Sequence, residues 1–248
     1  MKKFFIKILS VFVFPKIRSY NFRKAHLSYG VGKLKIKGKN NRFILVKDGK
    51  EIDVKWPLAG LDVELSGNNN IIKIGYPWHF ENTKIKITDN NNLFEIKSCQ
   101  MGVKDTYFLV NRGAKVLIGE NFCVAGGGKS SFFIGEEDNM SLTIGNDVLF
   151  ASNNIVRTSD NHTMYDVQTN KICNFGASII IHNHVWICEG CAILKGCAIA
   201  QDCIVGTKSV VNKRLDIPNT VIAGIPAKIV RTGINWDIKT IPDFILRE

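Results

Sequence analysis

From Ile181 to Val211 the chain divides into six-residue blocks, IHNHVW, ICEGCA, ILKGCA, IAQDCI and VGTKSV. An aliphatic residue opens each block, at 181, 187, 193, 199 and 205, and again at 211. The fifth position of successive blocks holds Val185, Cys191, Cys197, Cys203 and Ser209, all small or of modest size. This two-part periodicity is the signature of a hexapeptide β-helix. Each block supplies one short strand and one corner of a triangular prism, three blocks make a coil, and coils stack at a strand spacing of about 4.8 Å. The aliphatic residue points inward onto its equivalent in the next coil, and the small residue sits by the tight corner, where a larger one collides.

Looser versions of the pattern precede these blocks: KVLIGENFCV at 115–124, SLTIGNDVLF at 141–150 and SIIIHNHVWI at 178–187. Their irregular spacing requires loops inserted between coils. Further upstream, LKIKGKNNRFIL, LDVELSGNNNIIKI and IKITDNNNLFEI repeat a strand, a polar corner and another strand. Asparagine and glycine suit those corners because both tolerate positive φ. The expectation is an all-β chain: an N-terminal segment over 1–31, one parallel prism from Gly32 to Lys213 with a loop inserted near 157–178, and a C-terminal tail over 214–248.

An apolar content of 45% over 248 residues fits a folded core, and a formal charge of +11 fits a polyanionic partner. The chain shows no GxGxxG, no Walker loop and no basic-aromatic recognition module, so no nucleic-acid partner is expected. Of the seven cysteines, Cys188, Cys191, Cys197 and Cys203 fall in the repeat, where they read as compact apolar fillers of a reduced cytoplasmic protein. Residues 1–24, MKKFFIKILSVFVFPKIRSYNFRK, are basic and aromatic, with Lys7 interrupting the apolar run and Pro15 ending it. Two readings stand for this segment: a helix docked on protein, or a peripheral contact with an anionic membrane at its inner face.

The blocks from 181 to 211, with the terminal NTVIAGIPAKIVR, resemble the hexapeptide-repeat acyltransferases, whose prism is a left-handed parallel β-helix. That handedness is an exception to the right-handed rule for parallel crossovers. Within that superfamily, RTSDNHTMYD (Arg157 to Asp166) followed by N-H-V-W (Asn183 to Trp186) resembles the group that O-acetylates capsular polysaccharides, lipopolysaccharide sugars and sialic acids. His182 and Cys188 stand where this pattern usually has glycine.

The resemblance implies acetyl transfer from acetyl-CoA to a sugar hydroxyl, with His162 as general base. Asp160 or Asp166 is expected to fix the His162 tautomer, and Trp186 to form a wall that places acceptor sugar or pantetheine. His182 and His184 are expected to alternate on a strand and face the catalytic loop. Candidate contacts to acetyl-CoA are Trp186, Gly206, Lys208, Ala223, Gly224, Lys228 and Arg231, the last two for its phosphates. No metal is expected, because catalytic zinc needs three protein ligands and no third histidine falls at a comparable repeat position. His26 and Trp78–Phe80 read as structural.

The resemblance further implies a homotrimer with its sites between prisms, a glycan acceptor, acidic in keeping with the charge, and work in the cytoplasm or at the inner membrane face. Two other readings remain open at this point: N-acetylation of an amino-sugar nucleotide, and a non-catalytic scaffold for glycan assembly.

Overall fold

The structure, a computed structural model, describes residues 30–245. The expected N-terminal helix and His26 lie outside the described residues.

Among the described residues, twenty-five strands wind into three sheets that form the sides of a prism. The first sheet stacks β1 (Leu34–Ile36), β4 (Leu61–Leu65), β7 (Thr83–Ile87), β10 (Thr106–Val110), β13 (Ser130–Ile134), β16 (Ile155–Arg157), β19 (Ala192–Leu194) and β22 (Val210–Val211). In the second lie β2 (Arg42–Lys47), β5 (Ile71–Gly75), β8 (Leu93–Ile96), β11 (Lys115–Ile118), β14 (Ser141–Ile144), β17 (Ile179–Ile181), β20 (Ala198–Ile199) and β23 (Arg214–Leu215), with β3 (Lys50–Asp53) at one edge. The third holds β6 (Trp78–Glu81), β9 (Cys99–Lys104), β12 (Cys123–Val124), β15 (Leu149–Phe150), β18 (Trp186–Ile187), β21 (Ile204–Val205), β24 (Thr220–Gly224) and β25 (Ala227–Thr232). All pairings are parallel except β2 with β3 and β24 with β25. The prism is a left-handed β-helix, and one short helix, α1 (Ile241–Ile245), follows it. Among the described residues no helix is long and apolar enough to cross a membrane.

Register explains the core. In the first sheet Val63, Ile85, Phe108, Phe132, Val156, Ile193 and Val211 pair in one inward column, all buried. The third sheet aligns Phe80, Val103, Val124, Phe150, Ile187, Val205 and Ile222 in the same way. Upstream, equivalent positions recur every 22 to 29 residues. Downstream the interval is 18. The longer coils enclose more space and fill it with stacked rings: Phe108 lies 5.1 Å from Phe94 and 4.6 Å from Phe132 between centroids. The short coils are filled by aliphatics and by Val185, Cys191, Cys197, Cys203 and Ser209, all buried.

Asparagines close the upstream corners. Asn40, Asn69 and Asn91 each hold φ near +60° and form a side-chain ladder in which Asn40 donates to Asn69 and Asn69 to Asn91, at 3.1 Å. A second ladder is internal: Asn70 Oδ1 accepts from both the backbone and the side-chain nitrogen of buried Asn92, at 3.0 and 2.8 Å. Gly67 occupies one of these corners at φ +94°, where an added Cβ would stand 1.7 Å from the Asp89 carbonyl oxygen.

Coil stacking continues past Lys213, where the sequence reading ended it. Leu215 on β23 and Ile222 on β24 are buried and pair with Ile199 and Val205, so residues assigned to the tail complete the prism.

Candidate active site

Between β16 and β17 the coil interval rises to 37 residues, because a loop leaves the corner between the first and second sheets. Both ends of the loop are tied to Glu137, whose Oε1 accepts from Ser159 Oγ at 3.0 Å and from the Gly176 amide at 2.7 Å. Asn174 staples its two strands, accepting from the Met164 amide and donating to the His162 carbonyl and to Asp160. Lys195, from the next coil, donates to Asp160 and to the Asn174 carbonyl. These contacts, Lys195 first, hold the Asp160 carboxyl below its usual pKa.

The tip is a small antiparallel arm with a bridge between Tyr165 and Ile172. Asp166 shapes its turn, accepting from the Thr169 amide, the Thr169 hydroxyl and the Gln168 amide. Tyr165, Met164, Phe175 and Val167 are exposed, Val167 at 84%. His162 sits on this braced arm, and its ring forms no hydrogen bond to any described residue. Neither carboxylate therefore orients the imidazole within the protomer, contrary to the sequence expectation. Asp166 is spent on a turn and Asp160 on Lys195 and Asn174, so both shape the loop.

A second cluster lies at the corner between the second and third sheets. His182 and His184 are corner residues rather than strand neighbours, since β17 stops at Ile181 and His184 has φ +54°. The expected shared face toward the loop is absent for that reason. His184 Nδ1 lies 2.9 Å from Asp202 Oδ1. Its ring stacks on Trp236 with centroids 4.6 Å apart at 11°, and Trp236 Nε1 donates to the His184 carbonyl at 2.9 Å. Trp186, half-buried, lies 5.9 Å from Trp236. Trp236 went unnoticed in the sequence because no period reaches it; the lone indole in GINW was the only hint.

The third corner gathers most of the candidate cofactor residues. The Gly206 amide donates to Ile222, the Gly224 amide to Ser209 Oγ, and Lys228 pairs with Ala223 across the hairpin. Lys208, at φ +61°, lies across Gly190. Arg231 pairs with Val221 at the opposite end of the hairpin and does not join this group. His162, Trp186 and this basic corner thus leave one prism at three different corners. The repeat thiols point away from chemistry, for burial pushes Cys188 up to about 11 and Cys197 up to about 12.

No family model matches the chain. A polysialic acid O-acetyltransferase of Escherichia coli O1:K1 / APEC is 38% identical over 129 residues, 52% of this chain, which spans only 40% of that relative's length. A polysialic acid O-acetyltransferase of Neisseria meningitidis is 31% identical over 177 residues, covering 70% of this chain and 78% of the relative. Among solved structures, the polysialic-acid-specific acetyltransferase NeuO superposes with a TM-score of 0.69 at 25% identity, over 88% of this chain and 94% of that one.

Proposed function

We propose, because the chain belongs to the polysialic acid O-acetyltransferase family of left-handed β-helix proteins, that it moves an acetyl group from acetyl-CoA to a hydroxyl of an acidic surface glycan. The observation that carries this reading is the His162 ring: Asp160, Asp166 and Asn174 around it are each committed to bracing the loop, while the imidazole is left uncommitted on the arm. A sugar hydroxyl is a poor nucleophile at neutral pH, and a neutral imidazole has the right basicity to take its proton as it attacks. The hydroxyl oxygen bonds to the thioester carbonyl carbon, the carbon–sulfur bond breaks, and the departing thiolate takes up the proton. Transfer is direct in this reading, since burial raises the pKa of the Cys188, Cys191 and Cys197 thiols.

Trp186, with Trp236 beside it, offers an apolar wall for acceptor or pantetheine. Lys208 and Lys228 are the candidate phosphate contacts at that corner, with Gly206, Ala223 and Gly224 leaving room for close backbone approach, while Arg231 stands apart from them at the far end of the hairpin. Because these groups stand at different corners of one prism, the site is formed between copies, with the loop of one against the third sheet of another. The exposed Met164, Tyr165, Val167 and Phe175 suit that contact, and a closed homotrimer is the assembly proposed. The protein works in the cytoplasm or against the inner membrane face, where acetyl-CoA is available.

The test is thiol release from acetyl-CoA by wild type and His162→Ala over acidic and neutral oligosaccharides and amino-sugar nucleotides, with assembly mass measured for both. Release stimulated by acidic glycans and reduced about 100- to 10,000-fold in the folded variant is expected. Equal activity of the two proteins, or acetylation of the amino sugars alone, overturns the reading.

A further inference from the structure

The outer surface of the first sheet changes character along the prism. On its downstream strands it presents Ile155, Ala192, Leu194 and Val210. Upstream the same two rows are charged: Lys33, Asp62, Lys84 and Tyr107 align in one, and Lys35, Glu64 and Lys86 in the other. A cavity of about 780 Å³ opens here, lined by Lys33, Asp62, Lys84, Lys86, Tyr107 and Lys129 among others. Its acids are engaged: Asp62 accepts from the Lys33 amide, Asp105 from Asn82 and the Gly127 amide, and Glu64 pairs with Lys84 at 3.0 Å. Lys33, Lys86 and Lys129 form no salt bridge among the described residues, although Lys86 is close enough to Glu64 to help hold its pKa down.

An aromatic strip joins this cavity to the His162 loop. Lys129 Nζ lies 5.3 Å above the Tyr107 ring, Tyr107 packs edge-on against Phe133 at 6.2 Å, and the Arg157 guanidinium covers Phe133 at 5.2 Å. Arg157 is the last residue of β16, from which the loop departs. At the strand spacing of a sheet, β10, β7 and β4 lie about 10 to 20 Å from β16 along the prism.

We propose that this groove is a docking site for a run of carboxylate-bearing sugars several units from the one being modified, so that the enzyme grips a polymer rather than a single residue. Lysine ammonium groups meet the carboxylates, and the aromatic strip meets the sugar rings. Nucleic acid carries a similar charge per unit, so the glycan is preferred on the proposed function and DNA is kept as an outcome of the test. The acceptor class rests on the proposed function, but the binding itself does not require transfer.

The experiment measures binding of long and short polysialic acid to His162→Ala protein, with and without Lys86→Gln/Lys129→Gln, and compares Lys50→Gln/Lys115→Gln, which removes equal charge from the second sheet. The groove variant is expected to bind the long polymer about three- to tenfold more weakly, with the short one and the charge control unchanged. With His162 restored, KM for long chains rises while kcat holds. Equal weakening by both lysine pairs, or unchanged long-chain binding in the groove variant, overturns the proposal, as does displacement of the glycan by DNA at equal charge. Lysine-dependent binding by a wild-type protein that acetylates no glycan refutes the proposed function and leaves this site standing.

Discussion

Above the His162 loop, coils recur every 22 to 29 residues with strands of up to six; below it they recur every 18 until the last, shorter turn, with strands of two or three before the terminal hairpin. The number of residues per turn sets the cross-section, and the cross-section sets the filling. Wide coils need phenylalanine, and they satisfy their long corners with asparagine ladders. Narrow coils admit only aliphatics and cysteine-sized corner residues. The loop that carries His162 departs from the coil in which one regime gives way to the other, as the 37-residue interval records.

The largest blow to this contrast should come from Phe108→Ala, which leaves a void amid the stacked rings and is expected to cost about 3 to 5 kcal/mol in equilibrium urea unfolding. Repacking by Phe94 and Phe132 to a loss near zero would show that the wide coils are not filled as described. The reverse change in the narrow half, Cys203→Leu, overfills a fully buried corner beside the Ile217 carbonyl and Thr220 and should cost about 1 to 3 kcal/mol. Tolerance of leucine there would break the size argument.

The smallest effect concerns the junction itself. Asp160 has a depressed folded pKa, so its contribution is present above the unfolded value of about 3.9 and is lost as pH falls through the folded value. The loop should therefore resist proteolysis at neutral pH and become more readily cut below about pH 4. Asp160→Asn should be cut equally at both, at a stability cost below about 1 kcal/mol because the group is largely exposed.

What the sequence made legible follows the same division. The 18-residue coils could be read block by block because two positions in six are constrained without interruption. In the wide half only alternation and polar corners were visible, since strands and corners vary in length from coil to coil. The end of the prism was misjudged because Leu215 follows Ile199 by fewer residues than a full coil, which destroys the period while the pairing persists. At the candidate site, the loop around His162 could be picked out from its motif but its supports could not. Glu137, Asn174 and Lys195 act from three separate stretches, and nothing local marks them. The turn role of Asp166 was written in the sequence as D-V-Q-T, a carboxylate three residues before a threonine, and was passed over in favour of catalysis.

The two antiparallel pairings, β2 with β3 and β24 with β25, have a meaning for the molecule's life in a crowded cell. A parallel stack of coils is in principle endless, because each exposed last coil is a template for another strand running the same way. At both of these edges the chain turns back on itself and offers a strand of opposite direction in place of the next coil. Among the described residues, one of the three sheet edges at each end of the prism is thus covered by a reversed strand, which gives an incoming coil no parallel partner on that side.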